Sequence, residues 1–204
     1  MGTEGAQPES AGEESSDRLR WNARYLRSAP GFAPHPLVAE AFTAGMIDGP
    51  VLELACGRSG SALALAEAGH RVVAVDVSDV ALRQLATEAR RRGVGDRVFC
   101  VQSDLATFVP PRETFAFALA TLFWDKAVFD IACEAVLPGG LLGWEALARM
   151  DEEDPSAPSR FRVPHGALGT ACGPGWDVLV EALAKESAGA RPRRSTRVLA
   201  RRGE

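Results

Sequence analysis

Between residues 50 and 148, short runs of β-branched and apolar residues alternate with segments whose apolar residues recur at helical spacing. Strands separated by helices in this way form βαβ crossovers, which require a mostly parallel sheet covered by helices on both faces. Residues 71–75 are almost continuously valine and alanine, as expected for a strand buried on both faces. The predicted strands are 51–55, 71–75, 97–101, 115–122 and 141–148, and the predicted helices are 59–68, 79–92 and 125–136.

The segments on either side of this alternating region are less regular. Residues 1–17 hold five acids and no base among small polar residues, and they are predicted to be disordered. The further assignments are a helical lid at 18–45 (helices 18–27 and 37–44), a turn at 138–140, a loop at 150–175 and an edge hairpin at 176–202, where 176–186 also suits a helix. The sequence thus predicts an α/β fold in one domain, residues 18–204. Its sheet is doubly wound, mostly parallel and seven-stranded, and it ends in an antiparallel hairpin.

Composition limits the partners and the compartment. The chain's 204 residues are 46% hydrophobic and 25% charged, and a net charge of −4 gives no basis for nucleic acid or an anionic membrane as a general partner. No run of about 18 apolar residues predicts a membrane-spanning helix, and no signal peptide is recognisable. The four cysteines are far apart without metal-ligand spacing, which indicates buried thiols in a reducing compartment. These features predict a cytoplasmic protein without a metal site.

The turn after the first predicted strand carries the strongest functional signal. Small residues in Ala55-x-Gly57-x-x-Gly60 separate this strand from a helix whose N-terminal N–H groups face whatever lies over the sheet. The pattern is one methyl group away from Gly-x-Gly-x-x-Gly, and Asp76 follows Gly60 by 16 residues, at the end of the second strand. An acid near this position binds ribose hydroxyls in dinucleotide sites. The pattern therefore predicts a nucleoside site and by itself leaves NAD open.

The charge of Glu53 distinguishes a dinucleotide, which carries a pyrophosphate, from a nucleoside ligand without phosphate. Glu53 lies two residues before the turn, between apolar neighbours. A carboxylate beside a pyrophosphate would be repelled by several kcal/mol at an effective dielectric of about 20. A ligand that is cationic at this end and carries no phosphate is favoured, and S-adenosylmethionine meets both conditions. Asp104 follows the third strand, where a carboxylate accepts the exocyclic amine of adenine, although such acids also cap turns. Three acids at three successive strand ends indicate a site in the crevice beyond the sheet.

Several segments together resemble motifs of the class I S-adenosylmethionine-dependent methyltransferases: residues 51–60, 72–78, 102–105 and 137–140. Trp21-Asn22-Ala23-Arg24-Tyr25, Leu54-Ala55-Cys56-Gly57 and residues 65–70 are similar to the small-molecule branch that includes tellurite-resistance and thiopurine methyltransferases. The resemblance covers about residues 21–148. It implies a Rossmann-like methyltransferase fold, S-adenosylmethionine as cofactor and a small-molecule acceptor.

The resemblance also implies roles for single residues. Glu53 would lie near the methionine amino group of the cofactor, and Asp76 would bind its ribose hydroxyls. The other implied contacts are Ala55 and Gly57 (close backbone approach), Val77 (packing on adenine), Asp104 and Leu105 (adenine N6 and N1), Thr121 (the methionine end), and Trp21 and Arg24 (closure over the site, with Arg24 on the methionine carboxylate). Ala55 and Ser59 stand where the family usually has glycine, so the tightness of the turn would rest on Gly57 and Gly60, with cofactor affinity at stake.

The acceptor end is less defined. In-line methyl transfer mainly requires alignment, so the sequence identifies no catalytic side chain. Trp124 is the candidate wall for a flat acceptor, whereas Trp144 is assigned to the core. The general-base candidates, each more consistent with a structural role, are Asp125, Glu145, His35 and His165.

Two other functions stay open at this point. One is a non-catalytic module on the same fold that senses S-adenosylmethionine or acts as a scaffold, supported by the departures at Ala55 and Ser59. The other is a nicotinamide-dependent reductase, supported by the glycine pattern alone.

Overall fold

The chain folds around one central sheet. A computed structural model describes residues 16–149, 162–186 and 193–204. The sheet has the strand order β3-β2-β1-β4-β5-β8-β7, and β6 pairs with β5 beside this path. The strands are β1 (Val51–Leu54), β2 (Val72–Asp76), β3 (Val98–Gln102), β4 (Phe115–Ala120), β5 (Val136–Ala148), β6 (Arg162–Val163), β7 (Trp176–Glu186) and β8 (Arg193–Arg202).

The sheet reverses its direction of growth between β1 and β4. The strands from β3 to β5 are paired in parallel, whereas β8 is antiparallel to both β5 and β7. The chain runs outwards from β1 to β2 and β3, and it then returns to place β4 on the other side of β1. Such a reversal opens a crevice at the carboxyl ends of the two central strands, which is where open α/β sheets bind ligands. The predicted doubly wound sheet with its terminal antiparallel hairpin is confirmed, and β6 adds an unpredicted eighth strand.

The helices are α1 (Ser16–Arg27), α2 (Pro36–Thr43), α3 (Gly60–Glu67), α4 (Asp79–Arg91), α5 (Lys126–Ala135) and α6 (Ala167–Cys172). Four of them begin at side chains that accept hydrogen bonds from otherwise unpaired backbone N–H groups, as N-caps do. These caps are His35 for α2, Ser59 for α3, Ser78 for α4 and Asp125 for α5. Polar residues that end each strand or loop therefore also start the next helix.

The sheet separates two apolar cores. Successive residues of β1 serve opposite faces, because side chains alternate along a strand. Val51 packs in the core formed with α2, α3 and α4, whereas Leu52 packs in the core formed with α5 and α6. Trp144, Phe117 and Phe129 are the largest fully buried side chains. The prediction that Trp144 belongs to the core is confirmed.

Two sequence-based assignments were wrong. Residues 138–140, expected to form a turn, lie within β5, where Gly139 adopts a φ of 73° and the pairing with β4 shifts register between Phe115 and Phe117. The loop expected at 150–175 contains β6 and α6, and Leu168 of α6 is fully buried. Residues 150–161 of that loop lie outside the described residues.

Two predictions concern segments that lie outside the alternating region. Residues 176–186, which also suited a helix, form strand β7, and the edge hairpin is present. Of the segment expected to be disordered, residues 1–15 lie outside the described residues, and Ser16 and Asp17 already belong to α1.

The hairpin also contacts the N-terminal part of the chain. Arg197 of β8 forms an ion pair with Glu40 of α2, with 2.6 Å between Nη2 and Oε1. Arg201 donates to the carbonyl oxygen of Gly139 at 2.9 Å and also to that of Ala44, which follows α2. Two arginines of the last strand therefore hold a helix that precedes the first strand.

In the described part of the chain, every helix is too short or too polar to cross a membrane. The four cysteines are free thiols. Cys172 is buried and the other three are half-buried. Burial raises the pKa of Cys133 to about 12 and that of Cys172 to about 11, so both are held as neutral thiols at physiological pH.

The Phe129 side chain tests the core around α5. Its ring centre lies 5.1 Å from that of Trp144 and 5.5 Å from that of Trp124, and the side chain is fully buried. Phe129→Ala is expected to lower the free energy of unfolding by about 3–5 kcal/mol, because it leaves a cavity that packed neighbours cannot fill. Phe99→Ala, at a residue of β3 that is 48% exposed, is the matched control, with an expected loss below about 1 kcal/mol. Urea denaturation of both variants checks this, and equal losses would contradict it.

Candidate functional site

The turn from β1 to α3 has an unusual backbone. Ala55 and Gly57 both adopt positive φ, 50° and 55°. For glycine this costs little, whereas for alanine the left-handed region costs roughly 1–2 kcal/mol. Ala55 therefore occupies a conformation that glycine, the residue usual at this position in the resembled family, would adopt at lower cost.

Asp76 holds this turn in place. It is the last residue of β2, only 6% exposed, and each of its carboxylate oxygens accepts one backbone hydrogen bond. The Gly57 N–H donates to Oδ2 at 2.7 Å, and the Ser78 N–H donates to Oδ1 at 2.8 Å. Burial raises the pKa of Asp76, while these two bonds act in the opposite direction. Because a carboxylate accepts about four hydrogen bonds, each oxygen keeps a lone pair for the vicinal hydroxyls of a ribose.

Glu53 lies on the neighbouring strand and is more deeply enclosed. It is 2% exposed, and the Ser59 hydroxyl lies 2.7 Å from both of its carboxylate oxygens. Burial raises the pKa of Glu53 to about 8, against the lowering effect of the Ser59 hydrogen bond. The sequence interpretation treated Ser59 only as a missing glycine. In the structure its hydroxyl caps α3 and binds the acid of β1.

The third acid of the sequence prediction has a different setting. Asp104 follows β3, is exposed, and accepts the Ala106 N–H at Oδ1 over 2.9 Å. Leu105 packs against the core that α5 and α6 share. The strand order places Asp104, Asp76 and Glu53 along three adjacent strands as expected. Only Asp76 and Glu53 are buried.

Two further cofactor candidates lie beside these acids. Val77, between Asp76 and Ser78, is half-buried. Thr121 directly follows β4, is also half-buried, and precedes Leu122, whose φ is 55°. Both are at the carboxyl edge of the sheet, as the sequence predicted.

Tyr25 of α1 covers the turn and was missing from the predicted site. A Cβ atom added at Gly57 would overlap the Tyr25 hydroxyl, so only glycine accommodates this contact. Burial, followed by the nearby carboxylate of Asp76, raises the pKa of Tyr25 to about 12. The sequence contained one indication of Tyr25, because it is the last residue of the motif that begins at Trp21.

Polar contacts attach α1 to the start of α4. The Asn22 side chain donates to Asp79 Oδ1 at 2.7 Å and accepts from the Ser78 hydroxyl at 2.6 Å. Arg18 adds an ion pair with Asp79 at 2.9 Å. Since α1 contains no fully buried residue, these bonds and Tyr25 position it over the turn.

Trp21 and Arg24, the predicted closing residues, lie together on α1. The Arg24 guanidinium is 5.3 Å from the centre of the Trp21 ring, which in turn is 6.1 Å from the Tyr25 ring. Trp21 is half-buried and Arg24 is exposed. The structure thus places both beside Tyr25, and the Arg24 cation lies over the face of the Trp21 ring.

The general-base candidates are engaged in structural hydrogen bonds. Asp125 caps α5, and the His165 ring lies 3.1 Å from the Thr196 hydroxyl. His35 Nδ1 accepts the Leu37 N–H, so the neutral ring carries its proton on Nε2, which lies 3.0 Å from Glu145 Oε2. These contacts agree with the structural roles that the sequence favoured.

Glu145 is buried at 5% exposure within this network. Burial favours its neutral form, but hydrogen bonds from His35 and Ser195 outweigh that effect and hold its pKa below the ordinary value. Trp124, the candidate wall of an acceptor site, is half-buried and packs on Phe129.

Glu53 is expected to make stability depend on pH. In the unfolded chain this acid ionises near its ordinary pKa of 4.5, whereas the folded protein holds the proton up to about 8. The stability that it contributes is therefore fully present below the unfolded pKa and is lost as pH rises through the folded pKa. We expect the Tm to fall between about pH 5 and pH 8, and Glu53→Gln to reduce this fall, with a residual slope from Asp76. Glu134→Gln, at an exposed acid of α5, is the control. Equal slopes in Glu53→Gln and the wild type would contradict the prediction.

Known proteins are similar to this chain in sequence and in fold. Residues 51–140 match the family of methyltransferase domains. The 2-heptyl-1-hydroxyquinolin-4(1H)-one methyltransferase of Mycobacteroides abscessus is 33% identical over 96 residues, which are 47% of this chain and 42% of that protein. The match therefore spans less than half the length of the curated relative.

Solved structures match over nearly the whole chain at low identity. The magnesium protoporphyrin IX methyltransferase of Synechocystis PCC 6803, solved with bound S-adenosylmethionine, has a TM-score of 0.69 at 15% identity, over 97% of this chain and 100% of that chain. TehB of Haemophilus influenzae has a TM-score of 0.68 at 16% identity, over 89% of this chain and 67% of that chain. Residues 51–140 therefore match the family of methyltransferase domains, and the described structure shares the fold of these solved methyltransferases.

Proposed function

We propose that the protein binds S-adenosylmethionine and transfers its methyl group to a small-molecule acceptor. The observation that carries this proposal is the pair of buried carboxylates, Glu53 and Asp76, at adjacent strands beside the turn of Ala55 and Gly57. The buried acid Glu53 can become a carboxylate beside an arriving cation, whereas a pyrophosphate would oppose its ionisation. The matched methyltransferase domain supports the same ligand.

The residues present fit this cofactor. Asp76 would accept the ribose hydroxyls at its two remaining lone pairs, and Glu53 would receive the amino group. Ala55 and Gly57 would allow the backbone to approach. The remaining proposed contacts are Val77, Asp104 and Leu105 for adenine, Thr121 for the methionine end, and Trp21, Arg24 and Tyr25 for closure over the turn.

The acceptor end supports transfer by alignment. S-adenosylmethionine supplies a methyl group on a positively charged sulfur, and this sulfur is the leaving group when the acceptor takes the methyl group in line. Asp125, His35, Glu145 and His165 all serve other hydrogen bonds, so the chain's own contribution would be to orient the acceptor and exclude water. Trp124 would form an apolar wall for a flat acceptor, and the quinolone named for the curated relative makes alkyl hydroxyquinolones the first class to test.

Ligand binding and methyl transfer test the proposal separately. Titration calorimetry is expected to show binding of S-adenosylhomocysteine and none of NAD(H). Radiolabelled S-adenosylmethionine is then offered with hydroxyquinolones, phenols, thiols, amines and metalloid anions, and label is expected to appear in at least one acceptor.

The outcomes divide the candidate functions. Binding of NAD(H) without S-adenosylhomocysteine would select a reductase and end the proposal. Tight binding of S-adenosylhomocysteine with no transfer to any acceptor would instead select a sensor or scaffold on this fold.

Asp76→Ala tests the ribose contact. The variant is expected to weaken binding of S-adenosylhomocysteine by about 1–3 kcal/mol, because hydroxyls lose a charged acceptor. Asp96→Ala, at an exposed acid in the loop before β3, is the control and should bind like the wild type. Calorimetry measures both variants, with the Tm recorded in parallel to separate loss of binding from loss of folding. An unchanged Kd for Asp76→Ala would remove this residue from the site.

A further inference from the structure

Ser59 has a hydrogen-bonding arrangement that capping alone does not require. As the cap of α3 it accepts the Ala62 N–H at 2.8 Å. Its single hydroxyl proton is directed at Glu53, whose two oxygens both lie 2.7 Å away. Ser59 is 6% exposed and Glu53 2%, so water competes little for either partner. The other serine cap of this edge, Ser78, donates instead to the neutral Asn22 side chain.

This arrangement fixes the orientation of a long side chain. A glutamate has three rotatable bonds, and freezing them without a partner is unfavourable in conformational entropy. The Ser59 hydroxyl sets the carboxyl group of Glu53 with one side toward α3 and leaves the outward lone pairs for another donor. Glycine at position 59 would supply neither the hydroxyl nor the cap.

We propose that Ser59 is a positioning residue that orients Glu53 to receive the amino group of S-adenosylmethionine. The inference rests on the proposed function, and it deepens it by assigning a role to a residue where the sequence suggested a weakness. Ser59 itself does not contact the ligand in this proposal. It acts through Glu53.

Charge gives this arrangement a measurable consequence. The titratable groups that interact with Glu53 are Asp76 at the end of β2 and Cys56 in the turn, while its partner on β4, Leu119, is apolar. Tyr25 of α1 interacts with Asp76 and Cys56. Since burial raises the pKa of Glu53 to about 8, the ligand-free protein holds a proton there at neutral pH. An arriving ammonium favours the carboxylate, so the proton leaves Glu53 for the buffer as the ligand binds.

The experiment measures S-adenosylhomocysteine binding by calorimetry between pH 6.0 and pH 7.5. For one linked proton, affinity rises by up to about tenfold per pH unit below the pKa. We expect the wild-type Kd to fall at least about fivefold over this range, with nearly one proton released per ligand in buffers of different ionisation enthalpy. 5′-Methylthioadenosine, which lacks the amino acid end, should bind with no such pH dependence.

Variants then isolate Ser59. Ser59→Ala removes the hydrogen bond that favours the charged acid, so S-adenosylhomocysteine should bind at least about threefold more weakly at pH 7, with methylthioadenosine affected less than about twofold. Ser59→Thr keeps the hydroxyl and should restore binding. In a Glu53→Gln background, Ser59→Ala should have no further effect on the ratio of the two affinities, as a double-mutant cycle requires for residues that act together.

Ser78→Ala controls for the loss of a buried capping hydroxyl. It is expected to lower the Tm, as Ser59→Ala does, while leaving the number of released protons unchanged. The inference is overturned if Ser59→Ala weakens both ligands equally, if it acts just as strongly in the Glu53→Gln background, or if wild-type binding releases no proton. Failure of S-adenosylhomocysteine to bind the wild type at any pH would instead overturn the proposed function.

Discussion

The carboxylate of Asp76 connects three parts of the molecule that are separate in sequence. It ends β2, accepts the Gly57 N–H from the turn after β1, and accepts the Ser78 N–H where α4 begins. Each of these donors would otherwise be buried without a partner, at a cost of about 1–3 kcal/mol. The backbone of the turn, the start of α4 and the place proposed for a ribose therefore depend on one side chain. Architecture and ligand binding cannot be varied independently at this position.

Helix α1, the proposed lid, is attached through residues that Asp76 positions. Ser78, positioned by Asp76, donates to Asn22, and Asn22 with Arg18 attaches α1 to Asp79. Helix α1 buries no residue fully, unlike α4 and α5, so its detachment exposes little apolar surface. Tyr25 covers Gly57 in the arrangement described above. A polar attachment suits the role proposed for α1, which would uncover the turn for a ligand to enter and then return.

Much of the sheet could be predicted because buried parallel strands are short apolar runs that are bounded by glycine, proline and polar caps. Glu53 and Asp76 were recognisable because each is an acid in such a run. The two-residue strand β6 and the six-residue helix α6 are too short to show a period, so their segment was interpreted as a loop. The motif that contains Tyr25 was recognised, but the contacts that Tyr25 and Ser59 make could not be predicted from it. Their partners, Gly57 across the lid and Glu53 across the turn, become neighbours only when the chain folds back.

The arginines of β8 have a consequence for the order in which the molecule is completed. Arg197 and Arg201 reach Glu40 and the carbonyl of Ala44 across 157 residues of chain. In a chain emerging from the ribosome, every residue of the proposed cofactor site is synthesised before β8, the strand whose arginines contact α2 and the residue after it. Contacts at such separation close the largest loops and form late. The contacts of α2 with β8 can thus form only after residues 193–202 have been translated, whereas its packing on α3 can form earlier.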